Sequence, residues 1–334
     1  MTKRRDINQD LLRLILMILV VFHHGLLRII DSNSIIYRFI FCFAIVIINN
    51  CFFMQSGYFH LRFNWKKLIS LVFRCFCSML IWEVIININN KQAFNTDFFI
   101  YLAKNLLTCF DRHWFISTYI ILMLISPFLY NMLESLDNRK TQSLILALFT
   151  INTVFGFLLN HDEIGTGKGI SQAIFMYTVG YYIKDNKETI VKKCKRRIAL
   201  LAYIAIASFM FFLSTKLSEN TFSRFAYENN PLAIVISVLV FIYFIYELNY
   251  NSLSFISKLS KYSLYVILIG DYPPATEIIW YPFIKGIIAP NNCLLVIVYV
   301  MLVLIVSILI GEIIDKLYDL LFERIIYEKI EHRN

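Results

Sequence analysis

The chain has 334 residues, of which 58% are hydrophobic and only 16% are charged, and its net charge is +9. A soluble domain usually carries about 25% charged residues, so this composition excludes an ordinary soluble domain. The basic residues lie in short segments between apolar runs, which argues against a nucleic-acid partner and indicates a protein embedded in a lipid bilayer.

The apolar runs, taken in chain order, predict helices that cross a membrane, each of which needs about 20 residues. The expected spans are residues 11–30, 35–55, 68–88, 114–133, 144–160, 170–183, 198–214, 231–248, 257–270 and 293–314. The first run is too long for a signal peptide, so we expect it to be retained. The ninth span is interrupted at Pro273 and Pro274. The sequence therefore predicts an all-α, polytopic membrane helix bundle with about ten transmembrane helices.

The distribution of basic residues predicts the orientation of these spans. With the N-terminus inside, the cytoplasmic segments carry 21 Lys and Arg, whereas the outside segments carry 7. This bias agrees with the positive-inside rule, and an even number of spans returns the C-terminus to the cytoplasm. We expect one integral membrane domain over residues 1–334, with spans from 11 to 314. Residues 315–334 should form a cytoplasmic amphipathic tail, and residues 97–110 a similar surface helix outside.

The seven cysteines indicate neither a disulfide framework nor a metal centre. Most of them lie inside apolar runs, and the sequence contains no Cys-x-x-Cys motif and no His/Cys cluster with zinc spacing. We therefore expect no metal and no bound cofactor.

The first span carries a stripe of ionisable side chains, which are costly inside a membrane and hence candidates for function. Arg13 and His24 are eleven positions apart, which places them within about 20° of each other around a helix and about 16 Å apart along it. Asp10 lies at i,i+3 from Arg13, where an ion pair can form. His23 points about 100° away from His24.

Two interpretations of this stripe stay open. A guanidinium near the cytoplasmic mouth suits a phosphate-bearing ligand, and an imidazole deeper in the membrane can accept a proton from a hydroxyl or carry an acyl group. Alternatively, Arg13 extends to the lipid headgroups and His24 only bridges helices.

A second basic group lies around the start of the third span. Lys67 and Arg74 are seven positions apart and share a helix face. Arg62 and Lys66 need no explanation beyond the positive-inside rule. Arg74 lies within the span itself, which makes it the functional candidate of this group.

Six short motifs, in the same order along the chain, resemble those of the acyltransferase family 3 membrane enzymes. They are Asp10-Leu11-Leu12-Arg13 with His24, Phe52-Phe53-Met54-Gln55-Ser56-Gly57-Tyr58, Lys67 through Arg74 to Trp82, His113-Trp114-Phe115 with Tyr119 and Pro127, Tyr177 with Gly180 and Tyr181, and Lys261-Tyr262-Ser263 to Asp271-Tyr272-Pro273. The resemblance runs from about residue 6 to residue 310.

The chain departs from the family pattern at two places. Tyr265 and Gly270 stand where the ninth-span motif usually has glycine and histidine. Ser70 and Leu71 stand where a second basic residue usually accompanies Arg74. These departures concern acceptor binding and admit a degenerate relative, whereas the first-span arginine and histidine are intact.

The resemblance implies an O-acyltransferase of the bacterial cytoplasmic membrane. Such an enzyme moves an acetyl group from cytoplasmic acetyl-CoA to a hydroxyl of a cell-surface or exported polysaccharide, or of a lipid-linked sugar. The implied catalytic residues are His24, Arg13 and Asp10, and the implied acyl-CoA-binding residues are Arg13, Lys67 and Arg74. An acceptor or bundle site would contain Ser56, His113, Trp114, Tyr177 and Asp271.

Other functions remain as alternatives. A polysaccharide flippase or transporter would also have about ten spans with polar groups in the bundle, although the sequence shows no inverted repeat. A polysaccharide polymerase usually needs a large outside loop, and the longest loop here, residues 89–113, is modest.

Overall fold

The structure, a computed structural model, describes most of the chain. The described residues are 6–27, 30–31, 33–91, 94–103, 113–162, 164–246, 254–272, 275–282 and 293–322. Throughout these ranges the regular structure is helical and no strand occurs, which confirms the all-α prediction.

The helices follow the predicted spans closely. They are α1 (Ile7–Leu26), α2 (Ile35–Tyr58), α3 (Trp65–Asn89), α4 (Trp114–Ser135), α5 (Asn138–Leu158), α6 (Ile170–Asp185), α7 (Lys187–Lys193), α8 (Arg196–Ser214), α9 (Glu219–Phe225), α10 (Pro231–Ile245), α11 (Ser254–Ser260), α12 (Ser263–Gly270) and α13 (Cys293–Tyr318). Residues 96–103 form a further helix. A π-helical segment covers Thr276–Trp280.

Among the described residues, seven helices are long and apolar enough to cross a membrane. They are α1, α2, α3, α4, α5, α8 and the stretch Val296–Phe322. At 16 and 15 residues, α6 and α10 are shorter. The ninth predicted span is divided into α11 and α12. The count of ten spans and the orientation of the termini therefore stay predictions.

Several parts of the sequence-based expectations lie outside the described residues. These are Pro273 and Pro274, residues 323–334 of the expected tail, and residues 104–110 of the expected outer surface helix.

Polar side chains at the loop ends explain where several spans begin. The Asn64 side chain accepts a hydrogen bond from the Lys67 backbone N–H at the start of α3, and Asp137 caps α5 in the same way. Asn230 caps α10, where Pro231 occupies the first turn. Such caps satisfy backbone N–H groups that have no partner inside the helix, and proline is well tolerated at that position.

The described chain forms two compact units. The first consists of Met1–Val20, Ile30–Phe63 and Trp114–Ser257. Within it α2 crosses α6 in backbone contact, because a Cβ atom at Gly57 would lie 1.9 Å from the Tyr177 carbonyl oxygen. A Cβ atom at Gly180 would lie 2.0 Å from the Met54 carbonyl oxygen. Close packing of this kind requires small residues at membrane helix crossings, which gives both glycines a structural role.

A buried carboxyl group, that of Glu228 before α10, joins three parts of the first unit. Its Oε1 accepts a hydrogen bond of 2.6 Å from Asn49 Nδ2. The backbone carbonyl of Glu228 accepts hydrogen bonds of 3.0 Å from Asn50 and 3.2 Å from Gln172. Burial raises the pKa of the Glu228 carboxyl above its usual value, although Lys168 and Asn49 oppose the shift.

The second unit consists of Val21–Ile29, Asn64–His113 and Lys258–Asn334, in which α3, α12 and α13 pack together. The outer face of α13 carries exposed apolar side chains at every fourth position: Ile297, Met301, Ile305, Leu309 and Ile313. A continuous apolar stripe on the outside of a helix is typical of contact with lipid.

Candidate active site

Arg13 lies at the centre of a hydrogen-bonded cluster in the first unit. Its Nη1 lies 3.4 Å from Asp10 Oδ1, the partner that the i,i+3 spacing predicted. Its Nε donates a bond of 3.3 Å to Gln55 Oε1. The Gln55 amide in turn donates to the Gln9 carbonyl at 2.9 Å. These contacts hold the guanidinium in a fixed direction, while 28% of the side chain stays exposed to a ligand.

Asp10 is held from a second helix as well. Its side chain is 4% exposed, and its Oδ2 accepts a hydrogen bond of 2.6 Å from the Ser257 hydroxyl on α11. A buried carboxylate with two donors is strongly oriented, so Asp10 can fix the position of Arg13.

His24 pairs with Asp271 in the second unit. The distance from His24 Nδ1 to Asp271 Oδ1 is 3.2 Å, and both side chains are about one-third exposed, at 32% and 33%. A carboxylate at Nδ1 favours the tautomer that carries its proton there, which makes Nε2 the basic nitrogen. This pair has the chemistry of a general base and its orienting carboxylate.

Gly270, one of the two departures from the family pattern, is explained by packing beside this pair. A Cβ atom at Gly270 would lie 2.8 Å from Val303 Cγ1 on α13 and 3.5 Å from Val21 Cγ2 on α1. A histidine at this position has no room, because both neighbours are branched side chains in a packed core. The next residue, Asp271, is the polar partner of His24.

Glu83 on α3 joins the same region through two tyrosines. The hydroxyls of Tyr101 and Tyr272 both donate to Glu83 Oε1, the former at 3.3 Å. Glu83 is buried, with only 5% of the residue exposed. The buried ring of His113 lies 5.9 Å from that of Tyr272, so His113 also belongs to this part of the second unit.

Arg74 has a carboxylate partner within the protein. Its Nε lies 3.0 Å from Asp315 Oδ1 on α13, and the Tyr265 hydroxyl donates to the same oxygen at 2.5 Å. Tyr265, the other departure in the ninth-span motif, therefore binds the partner of Arg74. This ion pair accounts for a guanidinium at that depth without a ligand. Lys67 is exposed in the first turn of α3.

The remaining candidates, Ser56, Trp114 and Tyr177, have other contacts within the first unit. The hydroxyls of Ser56 and Tyr177 donate to the carbonyls of Phe52 and Leu61, at 3.2 and 3.3 Å. Lys168 Nζ lies 5.8 Å from the centroid of the Trp114 ring. The Ser56 contact stays within α2, whereas those of Tyr177 and Trp114 join distant parts of the first unit.

Sequence reasoning missed several residues that complete these clusters. Glu83 could have been found, because it is a carboxylate within a predicted span and such groups are candidates by default. Gln55 lies in the second of the six motifs, but no function was predicted for it. Ser257 and Asp315 have no local signal, because each meets its partner across more than 240 positions of sequence.

The described residues contain no group of three or more His, Cys, Asp or Glu side chains placed to hold a metal ion. An imidazole with a carboxylate at Nδ1 can take a proton from a hydroxyl, and a fixed guanidinium can bind phosphate oxygens.

Comparison with known protein families identifies the family of the chain. A family model described as an acyltransferase domain matches residues 7–312. No curated protein and no solved structure matches the chain.

Proposed function

This chain belongs to the acyltransferase family 3, and we propose that it transfers an acetyl group from cytoplasmic acetyl-CoA to a hydroxyl of a cell-surface or exported polysaccharide. The proposed location is the bacterial cytoplasmic membrane. The acceptor is either the polysaccharide itself or a lipid-linked sugar.

The observation that supports this function best is the 3.2 Å contact between His24 Nδ1 and Asp271 Oδ1. In the proposed step, His24 Nε2 takes the proton of the sugar hydroxyl while the hydroxyl oxygen bonds to the thioester carbonyl carbon. The carbon–sulfur bond then breaks, and the CoA thiolate accepts the proton from the imidazolium. Asp271 orients the ring and stabilises its cationic form.

Arg13 is the residue to which we assign the donor phosphates. Asp10 and Gln55 hold its guanidinium by contacts of 3.4 and 3.3 Å, which reduces the entropy lost when a phosphate binds. Lys67 and Arg74 stay predicted donor contacts. Arg74 is the less direct of the two, because Asp315 already neutralises it.

The test compares the acetyl content of the surface glycan in cells with and without the gene. We expect loss of glycan O-acetyl groups on deletion, recovery with the wild-type gene, and no recovery with His24→Ala. O-acetylation retained in the deletion strain would refute the proposal.

The same strains distinguish an acetyltransferase from a flippase. An acetyltransferase leaves the amount of surface polymer unchanged when its activity is lost. If the polymer itself disappears from the surface on deletion, the transport alternative replaces the enzymatic one.

A further inference from the structure

A cavity of about 480 Å³ lies beside the C-terminal part of α3 in the second unit. Its volume falls within the range of small-molecule sites, which is about 300–1,000 Å³. The lining residues are Glu83, Ile86, Asn87, Asn95, Asp97, Phe98 and Tyr101. Glu83, Ile86 and Asn87 are buried, and Asn95, Asp97 and Tyr101 are exposed at its edge.

The lining has the chemistry that binds a sugar ring. The carboxylates of Glu83 and Asp97 accept hydrogen bonds from hydroxyls, and the amides of Asn87 and Asn95 both donate and accept them. The Phe98 and Tyr101 rings supply apolar surface for the C–H face of a sugar. A purely apolar acyl chain, in contrast, would leave these polar groups without compensation.

Hydrogen bonds connect this cavity to Tyr272, which is next to the His24–Asp271 pair. Tyr101 and Tyr272 donate to the same Glu83 oxygen, so Glu83 belongs both to the cavity wall and to the tyrosine pair. Tyr272 is the chain neighbour of Asp271, which lies 3.2 Å from His24. A sugar in the cavity is therefore bound by side chains that are positioned together with the proposed base.

The charge of the lining restricts the kind of sugar. Among the residues that the structure describes, two acidic side chains line the cavity, and no Lys or Arg does. A carboxylate on the ligand would be repelled by these like charges, whereas an amine would be attracted.

We propose that this cavity binds the acceptor sugar and selects a neutral or amino sugar over a uronic acid. The inference rests on the proposed function, because it treats the bound sugar as the acyl acceptor. The predicted orientation also places residues 89–113 outside, on the side of an exported polysaccharide.

The experiment measures glycoside binding by saturation-transfer NMR on the full chain in lipid nanodiscs. The probes are methyl glucoside, methyl glucosaminide and methyl glucuronide. We expect the first two to bind the wild-type protein and the glucuronide not to bind. The variant Asp97→Lys should weaken binding of the glucosaminide about tenfold and create binding of the glucuronide.

Two matched variants separate this inference from the proposed function. Asp162 is an exposed acid of the first unit, and Asp162→Lys should leave glycoside binding unchanged. His24→Ala should keep glycoside binding while acetyl transfer is lost. The inference is overturned if no glycoside binds, or if Asp97→Lys leaves the preference among the three probes unchanged. Glycoside binding by a wild-type protein without acetyl transfer would instead refute the proposed function alone.

Discussion

At the scale of single residues, the contact with Asp271 favours one tautomer of His24. A histidine acts as a base through whichever nitrogen carries the lone pair, and the partner of the other nitrogen decides which one that is. The 3.2 Å contact to Nδ1 leaves the lone pair on Nε2, the nitrogen that we propose as the base. The positioning function of Asp271 therefore has a measurable consequence.

We expect Asp271→Asn to lower the kcat of acetyl transfer by about 10²–10⁴-fold, the usual range for impaired base catalysis. An asparagine keeps the size of the side chain but removes the charge that stabilises the imidazolium. The KM for acetyl-CoA should not change, because Asp271 is not assigned to the donor. The measurement is steady-state acetyl transfer by purified protein, with Asp162→Asn as a surface control. A parallel rise in KM with kcat preserved would contradict the positioning role.

At the scale of secondary-structure elements, α12 can approach α13 only because position 270 has no side chain. We expect Gly270→Ala to lower the free energy of unfolding by about 1–3 kcal/mol, and with it the melting temperature. The reason is that the new Cβ atom would lie 2.8 Å from Val303 Cγ1. The double variant Gly270→Ala/Val303→Ala should recover part of the loss. The measurement is the melting temperature in detergent.

Gly169→Ala provides the matched control for this prediction. A Cβ atom at Gly169 meets nothing within 4 Å, and the residue has an extended backbone that alanine can adopt. Equal melting temperatures for Gly169→Ala and Gly270→Ala would show that the α12–α13 approach is not tightly packed.

A second element-scale prediction concerns the ion pair between α3 and α13. Arg74→Glu places two carboxylates together, so we expect it to lower thermal stability, and the exchange Arg74→Glu/Asp315→Arg to restore it. The affinity for acetyl-CoA should be reduced in both variants, and by more than in Arg62→Glu. In the wild-type protein the Arg62 guanidinium lies over the Tyr130 ring. Titration with acetyl-CoA provides the measurement. Equal affinity in the Arg74→Glu and Arg62→Glu proteins would remove Arg74 from the donor site.

At the scale of the whole molecule, the charge bias predicts the topology. Residues 184–197 carry seven Lys and Arg, so we expect this segment in the cytoplasm and residues 161–169 outside. The measurement is labelling of single cysteines by a membrane-impermeant reagent in intact cells, on a background without the native cysteines. A cysteine at position 165 should react and one at position 190 should not. Labelling at position 190 from outside would show that the orientation is the opposite of the predicted one.

The sequence predicted what depends on local spacing and on composition. Apolar runs predicted helices at each expected span, and the i,i+3 spacing predicted the Asp10–Arg13 pair. Contacts between distant parts of the chain could not be predicted, because nothing local indicates that Arg74 meets Asp315, 241 positions later. Motif comparison identified Asp271 as a candidate, but its contact with His24 required the folded chain.

The central claim is that His24 performs proton transfer in the acetylation step, and one comparison tests it most directly. The neighbouring histidine provides the control, because His23 and His24 have ring centroids only 5.1 Å apart but point in different directions from the helix. The measurement is acetyl transfer per molecule of folded, membrane-inserted protein for His24→Ala and His23→Ala. We expect a loss of at least about 10²-fold for His24→Ala and a much smaller effect for His23→Ala. Near wild-type turnover in folded His24→Ala protein would contradict the mechanism.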